Sequence, residues 1–175
     1  MTANGFRHLT IGVLLLGATL FAQAPTLARI YIEPATGDIH LVDSTGRDSA
    51  IRRSSEAVRD PKVAVDKMTA GWLLEDRAGT TYTVPQALVL YRSGRIARTI
   101  TPSSWPIIMA WQFFADGKQV CFSSTALHGA ESERRSYELH DVRTGKIIER
   151  WDDRLSRTIP RWAEELDSLE QKRQR

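Results

Sequence analysis

The stretch Trp111–Trp151, WQFFADGKQVCFSSTALHGAESERRSYELHDVRTGKIIERW, constrains the fold more than any other part of the chain. Trp111 and Phe113 are two residues apart, so in an extended backbone both point to one face. Asp116-Gly117 then reads as a two-residue hairpin turn, because both central positions of a type I′ turn need positive φ. Val120-Cys121-Phe122 returns as a strand carrying a β-branched residue and an aromatic. The polar run Ser123–Arg135, with Gly129 inside it, reads as a loop. Tyr137, Leu139 and Asp141 share the face of a third strand, Thr144-Gly145 turns the chain, and Ile147, Ile148 and Trp151 supply a fourth strand. Short runs with alternate polar positions, bounded by turn residues, argue for strands over helix. The stretch is one four-stranded antiparallel unit.

Weaker copies lie upstream. Asp66-Lys67 stands 50 residues before Asp116-Gly117, Gly94 stands 51 before Gly145, and Gly46 stands 48 before Gly94. Around these marks strands are expected at Pro61–Val65, Trp72–Leu74, Leu88–Tyr91 and Ile96–Ile100, with an earlier half-unit at Ile39–Gly46. A period of roughly 40–50 residues with four strands per repeat is the pattern of propeller blades. On the residues Trp111, Asp116-Gly117-Lys118, Phe122-Ser123-Ser124, Tyr137, Leu139, Asp141 and Thr144-Gly145-Lys146, the chain resembles the WD40-like β-propeller repeat of exported bacterial proteins, the Tol-system type. The resemblance is clear over Trp111–Trp151 only. Phe114-Ala115 stands where that family has Ser-Pro, and the upstream copy has Asp66-Lys67 in place of Asp-Gly. These motifs are structural in the family, so the resemblance implies a fold and no catalytic residue.

The N-terminus carries an address. Met1–His8 is polar with Arg7, Leu9–Phe21 is a 13-residue apolar run, and Ala22-Gln23-Ala24 supplies small residues. That order is a secretory signal peptide, and the run is short of the ~20 residues that span a bilayer. Cleavage is assigned after Ala24; Pro25 follows directly, so Ala22 and Ala28 stay open as alternatives. The expected location is the periplasm or the extracellular space, with no stable membrane insertion after cleavage. Cys121 is the only cysteine, which excludes an intramolecular disulfide and reads as a small buried hydrophobe. Removing residues 1–24 leaves 23 basic against 21 acidic residues. That balance gives no reason to expect nucleic acid or an anionic membrane as partner.

The expected layout is a signal peptide at 1–24, a blade-like β domain at 25–157 with repeats at about 29–53, 60–100 and 107–151, and a C-terminal helix with a basic tail at 158–175. Arg29–Pro34 alternates and ends at a proline, which marks an edge strand. The polar segment Arg47–Asp60 holds a short strand at Ala50–Arg52, and Arg52, Arg53 and Arg59 read as a solvated cluster. Pro85 limits any strand from Thr81 to an edge or a bulge. Thr101–Pro106 links two units, with Trp105 packing between sheets. In the helix, Glu164 and Glu165 come early, Lys172 and Arg173 late, and Trp162, Leu166 and Leu169 form one apolar stripe. The stripe favours a closing helix, on a sheet or over a strand edge, above a helix that docks a partner.

Catalytic chemistry has little support. His40 and His140 sit at similar places in third strands, His128 lies in a polar loop, and no His or Cys pair has metal-ligand spacing. Ser123-Ser124 lack the glycines of a nucleophile elbow. No catalytic, cofactor or metal residue is assigned. The fold expected is all-β: antiparallel four-stranded blade-like (partial β-propeller) units with one C-terminal α-helix. Closed propellers need about 4 blades, so an open monomer is preferred, with ring closure as a homo-oligomer as the alternative. The expected function is a non-enzymatic binding or interaction module for another protein, with the Ser123–Arg135 loop as the first contact. The alternative is a small cell-envelope hydrolase or ligand-binding enzyme with a loop-built site.

Overall fold

The computed structural model describes residues 25–51, 57–76, 83–129, 134–152 and 158–173. Ala24, Arg52, Arg53, Thr81 and the tip of the 126–135 loop lie outside the described residues. Three antiparallel sheets, each wound up and down in chain order, precede one helix. Sheet A holds β1 (Leu27–Ile32), β2 (Ile39–Asp43) and β3 (Asp48–Ile51). Sheet B holds β4 (Ala57–Val63), β5 (Thr69–Asp76), β6 (Val84–Arg92) and β7 (Arg95–Ile100). Sheet C holds β8 (Ile107–Phe114), β9 (Gln119–Thr125), β10 (Ser136–Asp141) and β11 (Ile147–Asp152). Helix α1 spans Arg161–Arg173.

The turns explain the shared winding. Gly46, Gly94 and Gly145 all have positive φ (85°, 79° and 72°), and each closes the hairpin into the last strand of its sheet. Two of these turns share their chemistry. Asp43 Oδ1 accepts from the Thr45 amide and hydroxyl, and Asp141 Oδ1 accepts from the same two groups of Thr144. Such local bonds let an Asx residue shape a turn. By this equivalence sheet A is the counterpart of the last three strands of sheets B and C.

The layers stack in the order A, B, C, α1. Ile30, Ile39 and Ile51 of sheet A meet Val58, Trp72, Leu74, Val89 and Tyr91 of sheet B. The other face of sheet B places Leu73, Leu88, Leu90 and Ile100 against Ile108, Trp111, Val120 and Phe122 of sheet C. The far face of sheet C, with Ala110, Cys121, Tyr137 and Leu139, is covered by Trp162, Ala163 and Leu166 of α1. Burying a large apolar side chain of this kind contributes about 1.5–3 kcal/mol. Gly71 makes room for the B–C junction: a Cβ there would lie 2.8 Å from the Trp111 ring. Lys62 closes the same contact, donating to the Trp111 carbonyl with its ammonium 4.4 Å from the ring centroid.

Several expectations need correction. The first strand of sheet B ends at Val63, not Val65: the backbone turns at Ala64–Lys67, with Lys67 at φ 57°, and Val65 is 75% exposed. Asp116-Gly117 is not a two-residue turn. Phe114 pairs with Gln119, and Ala115, Asp116 and Gly117 all take positive φ. Gly117 is needed for closeness as well, because a Cβ would meet the Ala64 Cβ at 2.9 Å. Ser123–Thr125 belongs to β9 and is buried, so the loop is shorter than its polarity implied. Pro85 sits as expected at a bulge, the Leu74/Glu75 register shift, in a part of β6 that β7 does not pair. Leu169 is exposed; the buried row of α1 is Trp162, Leu166 and Glu170.

Candidate binding face

The outer face of sheet A has no sheet or helix over it among the described residues. Strand alternation sends Ile39 and Leu41 toward sheet B and His40 the other way. Tyr31 sits directly across from His40 in the β1–β2 register, and their rings stack with centroids 4.8 Å apart. Arg29, two residues earlier on the same face, lies 5.0 Å from the Tyr31 ring centroid. Asp48 ties the group together: it accepts from the Tyr31 hydroxyl at 2.7 Å and meets His40 Nδ1 at 2.9 Å. The Tyr31 bond, followed by the His40 bond, holds the Asp48 carboxyl below its ordinary range. The same bond pushes the Tyr31 phenol up. The result is a pre-arranged cluster of one cation, one carboxylate and two stacked rings.

His140 occupies the matching side of sheet C but is buried. Its Nδ1 lies 3.0 Å from the Gly145 carbonyl oxygen and its Nε2 2.8 Å from Glu138 Oε2, while the ring stacks on Phe122. The Gly145 carbonyl can only accept, so Nδ1 donates to it and Nε2 is left to engage the Glu138 carboxyl. Glu138 Oε1 accepts from the Ser103 amide at 2.8 Å and from the Ser103 hydroxyl. Burial raises the Glu138 carboxyl, but the bonds from His140 and Ser103 outweigh it and leave the group below its ordinary value. Serine, glutamate and histidine therefore meet here in the wrong order for nucleophilic catalysis. The carboxylate stands in the middle and the imidazole touches no hydroxyl, whereas activation needs the base between the other two.

The remaining candidates are placed as follows. Ser123 donates to Glu170 Oε2 at 3.2 Å beneath α1, and Arg135 pairs with the same carboxylate at 3.3 Å. Tyr137 bonds Asp167, and Trp162 Nε1 donates to Glu149, so the helix is fastened by polar contacts at the rim of its apolar stripe. Burial pushes the Cys121 thiol up to about 12, which suits packing and not reactivity. His128 is exposed, Trp105 is half-buried, and Arg59 pairs with Glu75. Among the described residues no group of three or more His, Cys, Asp or Glu side chains is placed to hold a metal ion. None of their helices is long and apolar enough to cross a membrane. Sequence reasoning missed Arg29, Tyr31, Asp48, Ser103 and Glu138. The available signal was residues two apart in a strand, Arg29/Tyr31 and Glu138/His140, which must share a face.

No protein-family model matches the chain, and no curated protein matches it. Among solved structures it is similar to the hydrazine synthase of Kuenenia stuttgartiensis, at 16% identity and a TM-score of 0.49, over 70% of this chain and 33% of that one. The chain thus spans about a third of that protein's length, and a likeness at this level assigns neither family nor function.

Proposed function

We propose that the protein is an exported, non-enzymatic interaction module built on propeller-type repeats, and that it holds a protein partner on the open face of sheet A. One observation carries the reading: among the described residues the other sheet faces each pack against a neighbouring layer, while this one presents Arg29, Tyr31, His40 and Asp48 already locked to one another. Tyrosine and arginine dominate the energetics of protein interfaces, and prior ordering lowers the entropy lost on binding. The Ser–Glu–His order at Glu138 speaks against a hydrolase, because a carboxylate held below its ordinary range is a weak base. The N-terminal apolar run supports export.

The test is comparative capture from a cell-envelope fraction. Bait carrying Arg29→Glu with Tyr31→Ala is expected to lose a partner that wild type and a Gly129→Ser loop variant both retain. Equal capture by all three baits, or turnover in esterase, glycosidase or peptidase assays, would overturn the reading.

A further inference from the structure

The outer rim of the junction between sheets B and C carries a second, independent feature. Arg95 and Arg98 on β7, Arg143 and Lys146 in the β10–β11 turn, and Arg150 on β11 are all exposed. None of the five pairs with a carboxylate among the described residues. Several cations elsewhere are paired: Arg59 with Glu75, Lys62 with Asp60, Arg92 with Asp66, Arg135 with Glu170 and Arg161 with Glu165. The near balance of total charge hides this local excess.

Register aims part of the excess inward. Arg98 pairs with Leu90, whose face of sheet B meets sheet C, and Arg150 pairs with Glu138, whose face of sheet C meets sheet B. Between the sheets opens a cleft of about 540 Å³, lined by Arg98, Thr99, Thr101, His140, Thr144 and Gly145. Arg98 lies across the turn where Gly145 leaves space; a Cβ there would sit 3.3 Å from its side chain. Its two terminal nitrogens donate to the Ala97 and Arg143 carbonyls, so the guanidinium is held in place without being neutralised. His140 stands on the cleft wall in front of the Glu138 carboxylate, which bonds to it from behind.

We infer that this cleft binds an oxyanion of the phosphate or sulfate type, as the free ion or as the head of a small ester. A braced guanidinium and the Thr101 hydroxyl beside it are donors suited to tetrahedral oxygens. The unpaired cations around the mouth raise the local anion concentration. The competing account is that charges on β7 and β11 merely discourage edge-to-edge strand pairing.

Full-length protein would be titrated with inorganic phosphate, sulfate and glycerol phosphate against chloride at matched ionic strength, following backbone amide shifts of residues 98–101 and 144–147. Saturable shifts with phosphate or its ester are expected, weakened at least tenfold in Arg98→Ala and unchanged in Arg47→Ala. Thr101→Val keeps Arg98 and its carbonyl braces, so it separates lost binding from lost structure, and it is expected to weaken the same shifts. Saturation by phosphate alone assigns the free ion, and stronger saturation by glycerol phosphate assigns the ester. Shifts that match chloride, that never saturate, or that persist in both Arg98→Ala and Thr101→Val would overturn the inference and leave edge protection.

Discussion

The stack of sheets ends in two opposite ways. At the sheet C end, Ala110, Cys121, Tyr137 and Leu139 form an apolar face that α1 seals with Trp162 and Leu166. At the sheet A end, Arg29, Tyr31, His40 and Asp48 form a polar and aromatic face with no layer over it among the described residues. The two histidines make the contrast sharp. His140 faces sheet B, and its two nitrogens are satisfied by Gly145 and Glu138. His40 lies on the corresponding side of its own sheet, where Asp48 engages one nitrogen. Strand grammar is the same at both ends, and what comes next in the stack decides whether a face must be dry. A solvated face already ordered by its own bonds is available for binding.

The largest test of this contrast compares truncations at the two ends. Trp162→Ala removes a buried ring from the sealed face and is expected to cost about 3–5 kcal/mol in urea unfolding. Tyr31→Ala on the open face should leave the midpoint nearly unchanged. Similar losses from both would show that the ends are not different in kind.

Nearly as large an effect is expected from Glu138→Ala, because removing one member of a buried pair strands the other, at about 3–5 kcal/mol. The pH dependence has a definite sign. Glu138 is held below its ordinary value in the fold, so its contribution is complete above the unfolded carboxyl value of about 4.3. It is lost as pH falls through the lower folded value. Glu138→Gln should therefore flatten the acid limb of the stability profile, while Asp48→Asn, at an exposed group shifted the same way, should change it little.

A medium effect separates space from backbone conformation. Gly71→Ala drives a Cβ into the Trp111 ring and should cost about 1–3 kcal/mol by overpacking. Gly46→Ala, at φ 85° with open space around it, should cost only the left-handed strain of about 1 kcal/mol. Thermal melts of the two variants give the ranking. The smallest change is kinetic: native Cys121 should react slowly with thiol reagents until denaturant exposes it, since burial pushes it up to about 12.

Much of the fold was legible in local pattern. The turns at Asp43–Gly46 and Asp141–Gly145 carry a short-range chemistry that does not depend on what packs above them. Trp111 and Phe113 share a face as their spacing requires, and their rings meet edge to face at 5.3 Å. Alternation failed where both faces are covered. The run Ala87-Leu88-Val89-Leu90 is buried throughout, because sheet B lies between two other sheets and no position there needs to be polar. The register of α1 was displaced for a related reason: the buried row continues to Glu170, whose carboxylate meets Ser123 and Arg135, so Leu169 turns outward. The candidate face was hidden because Asp48 lies eight residues from His40 and joins it only through the β2–β3 register. The Ser103–Glu138 contact spans 35 residues, and nothing in the local sequence encodes such a pairing.

The most direct measurement is hydroxyl-radical footprinting of the native protein, read residue by residue by mass spectrometry. Tyr31 is matched by Tyr137 at the sealed end, and His40 by His140 on the corresponding but covered side of sheet C, so intrinsic reactivity cancels within each pair. The account predicts strong labelling of Tyr31 and His40 and protection of Tyr137 and His140, which are each 3% exposed. Equal labelling within the pairs, or protection of Tyr31 and His40 in the isolated protein, would contradict a stack sealed at one end and open at the other.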